Sequence, residues 1–478
     1  MAVGSSNSFD LIVLGGGTGG YSAAFRAGQL GLKVALIDDR PKLGGTCLHI
    51  GCIPTKAMLE SAELYDRIQN GAAEMGVITE GARFDYNVVA KRRDTVVNRL
   101  AKGLDALVKK NKVEHIRGRG TLQGGKKVRV ETLDENGNPD GERPLDATDV
   151  ILATGSRVKS LPGLVPDGNK IITSDEATTG DTLPKSIVVV GGGAVGVEFA
   201  SFYHDAGVEV TLLEYLPRLT PLEDPDISKE LERSFRRRGM KVMTGVRFDP
   251  GAVSVDDSGI CLMVGPEGEE PKELRAEQML VATGRAPVTE GVGLESTRAK
   301  IEKGFVTVDA RMRTAEPHLY ACGDVIGGLL LAHVAAHEGI AAVHAIAGAE
   351  AEPVDYIKMP RATYSRPQIA SIGRTEEECA RDGYEVRVGR IPFQAIGKAL
   401  IRGEYEGFVK VVADAKTDEL LGVHMIGANV TDLISEASAA ILLEATAWEV
   451  GNAVHPHPTL SEVVGEAALA VDGKSINF

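Results

Sequence analysis

The chain has 478 residues, with 53 Lys and Arg against 67 Asp and Glu, a formal net charge of −14, 56 glycines and five cysteines. That length suits about three domains with substantial cores, and the glycine content suits a fold with many tight turns. The acidic balance argues against a general nucleic-acid or acidic-membrane surface, and five cysteines in so long a chain do not make a secreted disulfide framework.

Met1–Ser8 is small and polar and does not read as a signal peptide. Phe9–Leu14 is an apolar β-type run, followed by GGGTGG at Gly15–Gly20, a helical pattern to about Leu30, and a second strand, Lys33–Ile37, ending in Asp38. In this strand–turn–helix–strand–acid order Gly15 makes the turn. Gly17 lets the backbone approach a pyrophosphate, Gly20 lets helix and strand pack closely, and Asp38 can accept hydrogen bonds from a ribose. The unit is expected to bind a dinucleotide.

The next stretch, GGTCLHIGCIPTK at Gly44–Lys56, holds two cysteines five residues apart. On a regular helix their Cα atoms would lie about 8–9 Å apart, whereas a disulfide needs roughly 4.4–6.8 Å. Cys47 and Cys52 can therefore pair only if the backbone bends between them, which Gly51 permits. A helix starting here would turn free N–H groups toward Cys52, and Lys56, one turn on, would add positive charge; both favour a thiolate. Such a bridge is readily reduced and suits redox chemistry. The other reading is two buried, unpaired cysteines. Two helical patterns follow, the second with Val97, Leu100, Leu104, Leu107 and Val108 as an expected core-facing stripe.

Between Glu114 and Asp149 short β runs alternate with turn clusters, and Val150–Ser156 is an apolar strand ending in a small-residue turn. A Pro- and Gly-rich connector, Leu161–Gly168, leads to a repeat of the first device: Ser186–Val190, then GGGAVG at Gly191–Gly196, a helix, and the strand Val208–Leu213 ending at Glu214. An acid there favours an unphosphorylated ribose, so this second site reads as specific for NAD over NADP. Met279–Gly284 closes the unit as Val150–Gly155 closed the first.

Thr314–Asp324 reads as a strand delivering Asp324 beyond Gly323. The apolar stretch Leu329–Ala347 is broken by His333, His337, Glu338 and His344, which excludes a membrane span. From about Pro353 β runs at Phe408–Ala413 and Leu420–Ile426 alternate with a helix near Asp432–Ala445. HPHPTLSE at His455–Glu462 precedes an apolar helical pattern to Ala470. Thr459 and Glu462 match a helix capping box, which would leave His457 a surface histidine. Alternatively Glu462 orients His457 as a general base, and one carboxylate oxygen can serve each purpose. Cys261, Cys322 and Cys379 read as packing residues, no metal site is expected, and the composition fits a reducing cytoplasm.

GGTCLHIGCIPTK, the paired turns ATGS and ATGR, TAEPHLYACGD and HPHPTLSE together resemble the pyridine nucleotide–disulfide oxidoreductases over essentially the whole chain, and within them the dihydrolipoamide-oxidising branch. The resemblance implies an α/β fold: two Rossmann-like domains for FAD (1–155) and NAD (156–284), a central segment completing the FAD site (285–352) and a C-terminal α+β dimerisation domain (353–478). It implies FAD held by Gly15, Gly17, Gly20, Asp38, Gly45, Thr46, Lys56, Gly120, Thr154, Gly155, Ser156, Asp324 and Ala332, with Lys56 beside the flavin and paired with Glu198. NAD would use Gly191, Gly193, Gly196, Glu198, Glu214, Val246 and Gly284. In a homodimer, His457 and Glu462 would serve Cys47 and Cys52 of the other subunit. The implied reaction oxidises dihydrolipoamide with NAD⁺, its substrate carried by a separate lipoyl-bearing acyltransferase or glycine-cleavage carrier protein. No nucleic acid or membrane partner is implied. Thr18, His49 and Pro456 depart from the family pattern, which usually has proline, asparagine and a small residue there. Other readings are a mercuric or glutathione-type reductase, against which Asn477–Phe478 and Glu214 argue, and a non-catalytic flavin-bound scaffold.

Overall fold

The computed structural model describes residues 7–349 and 353–478. Residues 1–6, most of the stretch read as lacking a leader, and 350–352, at the expected start of the last segment, lie outside the described residues. The chain forms two compact units, Met1–Pro54 with Lys91–Lys159 and Arg285–Val354, and Thr55–Ala90 with Ser160–Gly284 and Asp355–Phe478.

The first unit is built on β1 (Ser8–Leu14), α1 (Thr18–Gln29), β2 (Val34–Asp38), α2 (Gly45–Ile50), the start of α3 (Cys52–Asn70) and most of α4 (Tyr86–Lys110). A meander follows: β3 (Glu114–Leu122), β4 (Lys127–Leu133) and β5 (Pro139–Leu152). β1 runs parallel to both β2 and β5, β2 to β3, and β5 to the strand Leu319–Ala321. Both faces of β1 are covered, so it reads as a continuous apolar run. Leu11 and Val13 join the core with α1 residues Ala23 and Ala27, whereas Ile12 and Leu14 face the core with Val128 and Val130. α1 packs on the helix Ala332–Ile346 through small residues, for a Cβ at Gly19 would lie 3.1 Å from the Ala335 carbonyl oxygen. The apolar stretch read against a membrane span is thus a core helix. No helix among the described residues is long and apolar enough to cross a membrane.

One expectation about α4 is corrected. Leu104 and Val108 pack on the core, but Leu100 and Leu107 are 43% and 38% exposed. They lie roughly 60–80° around the axis from the line through Val97, Ala101, Leu104 and Val108, and at these two positions the core does not reach that far.

The second unit contains a five-stranded parallel sheet in the order Lys241–Thr244, Glu209–Glu214, Ser186–Val190, Gln278–Val281, Ile171–Thr173. Its core includes Phe199, Phe202 and Phe235, with Met58 and Tyr86 from the segment 55–90. The C-terminal part is a five-stranded antiparallel sheet carrying the helices Val430–Leu442, Ala447–Asn452 and Glu462–Ala470. The mixed α/β architecture is the expected one.

Candidate active site

The two glycine turns are the same device built twice. Gly15 (φ +105°) and Gly191 (φ +110°) lie so close to the carbonyl oxygens of Ala153 and Ala282 that a Cβ would overlap them. A Cβ on Gly20 or Gly196 would overlap the carbonyl oxygen of Gly15 or Gly191. The acid ending each second strand secures the turn. Asp38 accepts the Gly16 N–H at 2.5 Å and the Arg40 N–H at 2.9 Å, and Glu214 accepts those of Gly192 at 2.5 Å and Leu216 at 2.7 Å. Burial pushes the Asp38 carboxyl upward, and those two N–H bonds act against it.

Gly17 and Gly193 are different. A Cβ at Gly17 would meet only Gly45 Cα, at 3.9 Å, and one at Gly193 nothing within 4 Å. Each is the N-cap of its helix and neither supplies a capping side chain. First-turn N–H groups at the positive end of a helix, with no side chain over them, fit a pyrophosphate.

Apart from Lys56, the remaining residues assigned to FAD lie in the same unit as the first turn. Ser156 Oγ donates to the Asp324 carboxylate and accepts Arg285 Nε at 2.6 Å, and Arg285 also reaches the Ser156 carbonyl at 2.8 Å. Thr154 Oγ donates to the Val288 carbonyl at 2.7 Å, and Gly155 has φ +69°. Asp324 lies in a 3-10 turn, Gly323–Ile326, steadied by the Gly323 N–H donating to buried Glu338 at 2.7 Å. The sequence shows Arg285 only as the end of the ATGR turn and Glu338 only as a break in an apolar stretch; their contacts, 129 and 15 residues away along the chain, reveal their part in this site. Ala332 opens its helix, and Gly120 lies in β3 with no room for a Cβ beside Leu14. Gly45 (φ +56°) backs onto Gly17, where its Cβ would lie 2.6 Å from Gly17 Cα, and Thr46 follows it in α2.

The cysteines flank the expected bend. α2 ends at Ile50, Gly51 breaks the helix with φ −139° and ψ −116°, and α3 begins at Cys52. A Cβ on Gly51 would lie 2.9 Å from the Thr46 carbonyl oxygen and 3.3 Å from Cys47 Cα, so the chain at Gly51 passes close against Cys47. Both cysteines are half-buried, and Cys52 stands at the positive end of α3. His49 Nε2 lies 3.1 Å from the Lys42 carbonyl oxygen and 3.0 Å from that of Leu43.

The second unit holds the other candidates. Lys56 Nζ bonds both oxygens of buried Glu198, at 2.9 and 2.7 Å, and lies 4.7 Å from the Tyr364 ring centre. The Tyr364 N–H completes this cluster by donating to Glu198 at 2.9 Å, a contact no local pattern signals. Val246 is a buried residue of a two-residue strand paired with Pro266, and Gly284 has φ +116°.

His457 Nδ1 lies 2.8 Å from Glu462 Oε1, while Glu462 Oε2 accepts the Thr459 N–H at 2.8 Å. One carboxylate serves both partners. The capping box is only half formed, because the helix starts at Glu462 and Thr459 Oγ turns to the Pro456 carbonyl and Ser461 Oγ. Burial works against charge on Glu462, but the hydrogen bonds from His457 and Thr459 outweigh it and hold the carboxyl below its usual range. His457 is 78% exposed with its Nε2 edge turned away from this pair. His455, one residue before Pro456, lies 2.7 Å from Glu436 and packs over Gly465.

Residues 9–339 match the family model for pyridine nucleotide-disulphide oxidoreductases, and 359–468 match the dimerisation domain of the same family. The chain is 49% identical to the dihydrolipoyl dehydrogenase of Bacillus subtilis, over 99% of this chain and all of that one. It is 43% identical to the Zymomonas mobilis protein of that name, over 99% and 100%. The crystal structure of LpdA from Mycobacterium tuberculosis superposes with a TM-score of 0.87 at 26% identity, covering 97% of this chain and 99% of that one. The chain belongs to the pyridine nucleotide-disulphide oxidoreductases, in the dihydrolipoyl dehydrogenase family.

Proposed function

We propose that Cys47 and Cys52 carry the dithiol–disulfide exchange of a dihydrolipoyl dehydrogenase in this chain, with His457 as its base. The enzyme oxidises dihydrolipoamide to lipoamide and reduces NAD⁺ to NADH. What supports the residue roles most is the break at Gly51, with Cys52 opening α3 and Cys47 close against the break in α2.

Glu462 holds His457 Nδ1, which leaves Nε2 to take the proton from a dihydrolipoamide thiol. The thiolate attacks Cys47 Sγ of the oxidised pair, the S–S bond breaks, and Cys52 departs as a thiolate stabilised by the start of α3. The second substrate sulfur displaces Cys47, so lipoamide leaves and both cysteines remain reduced. FAD, when bound, supplies the two-electron path from these thiols to NAD⁺. Its holders in this reading are Gly15, Gly17, Gly20, Asp38, Gly45, Thr46, Gly120, Thr154–Ser156, Asp324 and Ala332. NAD⁺ falls to Gly191, Gly193, Gly196, Glu214, Val246 and Gly284. Lys56, bound to Glu198, adds positive charge one turn along α3 from Cys52. The four-part division at 155, 284 and 352 belongs to this reading.

The dimerisation domain supports a homodimer, in which the partner's His457 serves this chain's cysteines. The substrate arrives on a separate lipoyl-bearing acyltransferase or glycine-cleavage carrier, in the cytoplasm.

Two turn substitutions separate the nucleotide roles. Gly20→Ala and Gly196→Ala each force a Cβ into a carbonyl oxygen, a strain of about 1–3 kcal/mol. Gly20→Ala is expected to cost the purified protein its flavin colour. Gly196→Ala keeps the colour and loses NADH binding, measured by fluorescence titration. The Glu214 carboxylate beside the second turn predicts a kcat/KM for NAD⁺ at least about a hundredfold above that for NADP⁺, since a buried like-charge contact costs several kcal/mol. Comparable values would remove Glu214 from the site. The functional reading itself is tested by steady-state assay of free dihydrolipoamide with NAD⁺ against oxidised glutathione with NADPH. Turnover with the first pair supports it, and turnover with only the second overturns it.

A further inference from the structure

α4 carries a charge pattern that the reaction does not use. At about 100° per residue, Lys91, Arg92, Arg99, Lys102, Lys109 and Lys110 fall within an arc of roughly 100° on its outer face, separated only by Thr95 and Ala106. All six are exposed, and no acid lies in the arc. The acids of the helix, Asp94 and Asp105, sit on its flank, and Asp94 pairs with Arg93 behind the ridge. Lys91, Arg99, Lys102, Lys109 and Lys110 form no ion pair among the described residues. A solvated helix face usually mixes signs. This one is uniformly basic in a chain of net charge −14.

The ridge is tied to the redox segment within one unit. Lys42 Nζ donates to Asn98 Oδ1 at 2.8 Å, at the edge of the ridge, and the Lys42 and Leu43 carbonyls lie 3.1 and 3.0 Å from the ring of His49, between the two cysteines. α4 and α2 are thus linked through the Lys42–Leu43 segment, which contacts Asn98 on one and His49 on the other.

We propose that this ridge docks an acidic lipoyl-bearing protein domain, orienting its dithiol toward Cys47. The inference rests on the dihydrolipoyl reading. Charge complementarity identifies the occupant: the rest of this acidic protein repels a negatively charged carrier, and the basic ridge attracts it. Such a field raises encounter rates by roughly 10–10³ and weakens steeply with salt.

The test compares kcat/KM for free dihydrolipoamide and for an acidic dihydrolipoylated carrier domain across ionic strength, in wild-type holoenzyme, in R99E/K102E and in R99Q/K102Q. In the wild type, the carrier-domain value should fall with added salt while the value for the uncharged small substrate stays level. Charge reversal should lower the carrier-domain value roughly tenfold or more at low salt, flatten its salt dependence and leave the small substrate unchanged, with the glutamine variant between. A salt-indifferent wild type, or carrier-domain rates untouched by the substitutions, overturns the proposal. So does an equal loss on both substrates, which would tie α4 to folding or cofactor retention. Duplex DNA that binds the wild type with a steep salt slope, where the carrier domain does not, would assign the ridge to nucleic acid and also overturn it. Failure of the wild type on free dihydrolipoamide would instead sink the dihydrolipoyl reading.

Discussion

His457→Gln should lower dihydrolipoamide oxidation by about 10²–10⁴, the span associated with a positioned general base, while NADH-to-dye activity stays within about twofold of wild type. The two activities separate because the imidazole serves only the thiol half of the reaction. Its Nδ1 is engaged by Glu462 and its Nε2 edge is exposed. Glutamine keeps a polar group near Glu462, so the Glu462–Thr459 bond that organises the start of the last helix survives. Equal loss of both activities would mean that the variant has lost its fold and not its base. Glu462 also bounds the pH response. Its folded carboxyl is held below its usual range, so its contribution is fully present above that range and is lost only as pH falls through the lowered value. An acid limb of kcat/KM nearer neutrality therefore belongs to another group.

Cys47→Ser should abolish dihydrolipoamide oxidation to background, with NADH-to-dye activity and flavin content retained. Without that sulfur no mixed disulfide can form with substrate, and a serine hydroxyl offers no S–S bond to break. The change is nearly isosteric at a half-buried site in a short helix, so the fold is spared. Residual turnover above a few per cent would show that substrate electrons bypass the pair.

The parts of the site legible in the sequence are those built within one local unit. Strand, glycine turn, helix and terminal acid lie within some thirty residues in each repeat, so Gly15, Gly20 and Asp38, and then Gly191, Gly196 and Glu214, announce themselves. The bend between Cys47 and Cys52 follows from helix geometry and one glycine. The dual use of Glu462 follows from counting its oxygens, though where its helix starts does not: the His457 bond and the Thr459 hydroxyl's turn toward Pro456 leave the capping box half formed. The contacts of Tyr364 and Arg285 stayed hidden because their partners, Glu198 and Ser156, lie 166 and 129 residues away. Leu100 and Leu107 misled because apolar spacing marks a helix face but not how far around that face the core extends.

The central claim is that electrons pass between NADH and one specific pair of sulfurs. It is tested by adding one equivalent of NADH anaerobically to the oxidised holoenzyme, trapping new thiols with an alkylating reagent and mapping the labelled peptides. Labels should appear at Cys47 and Cys52 together; no new thiols, or labels confined to Cys261, Cys322 or Cys379, would contradict the claim.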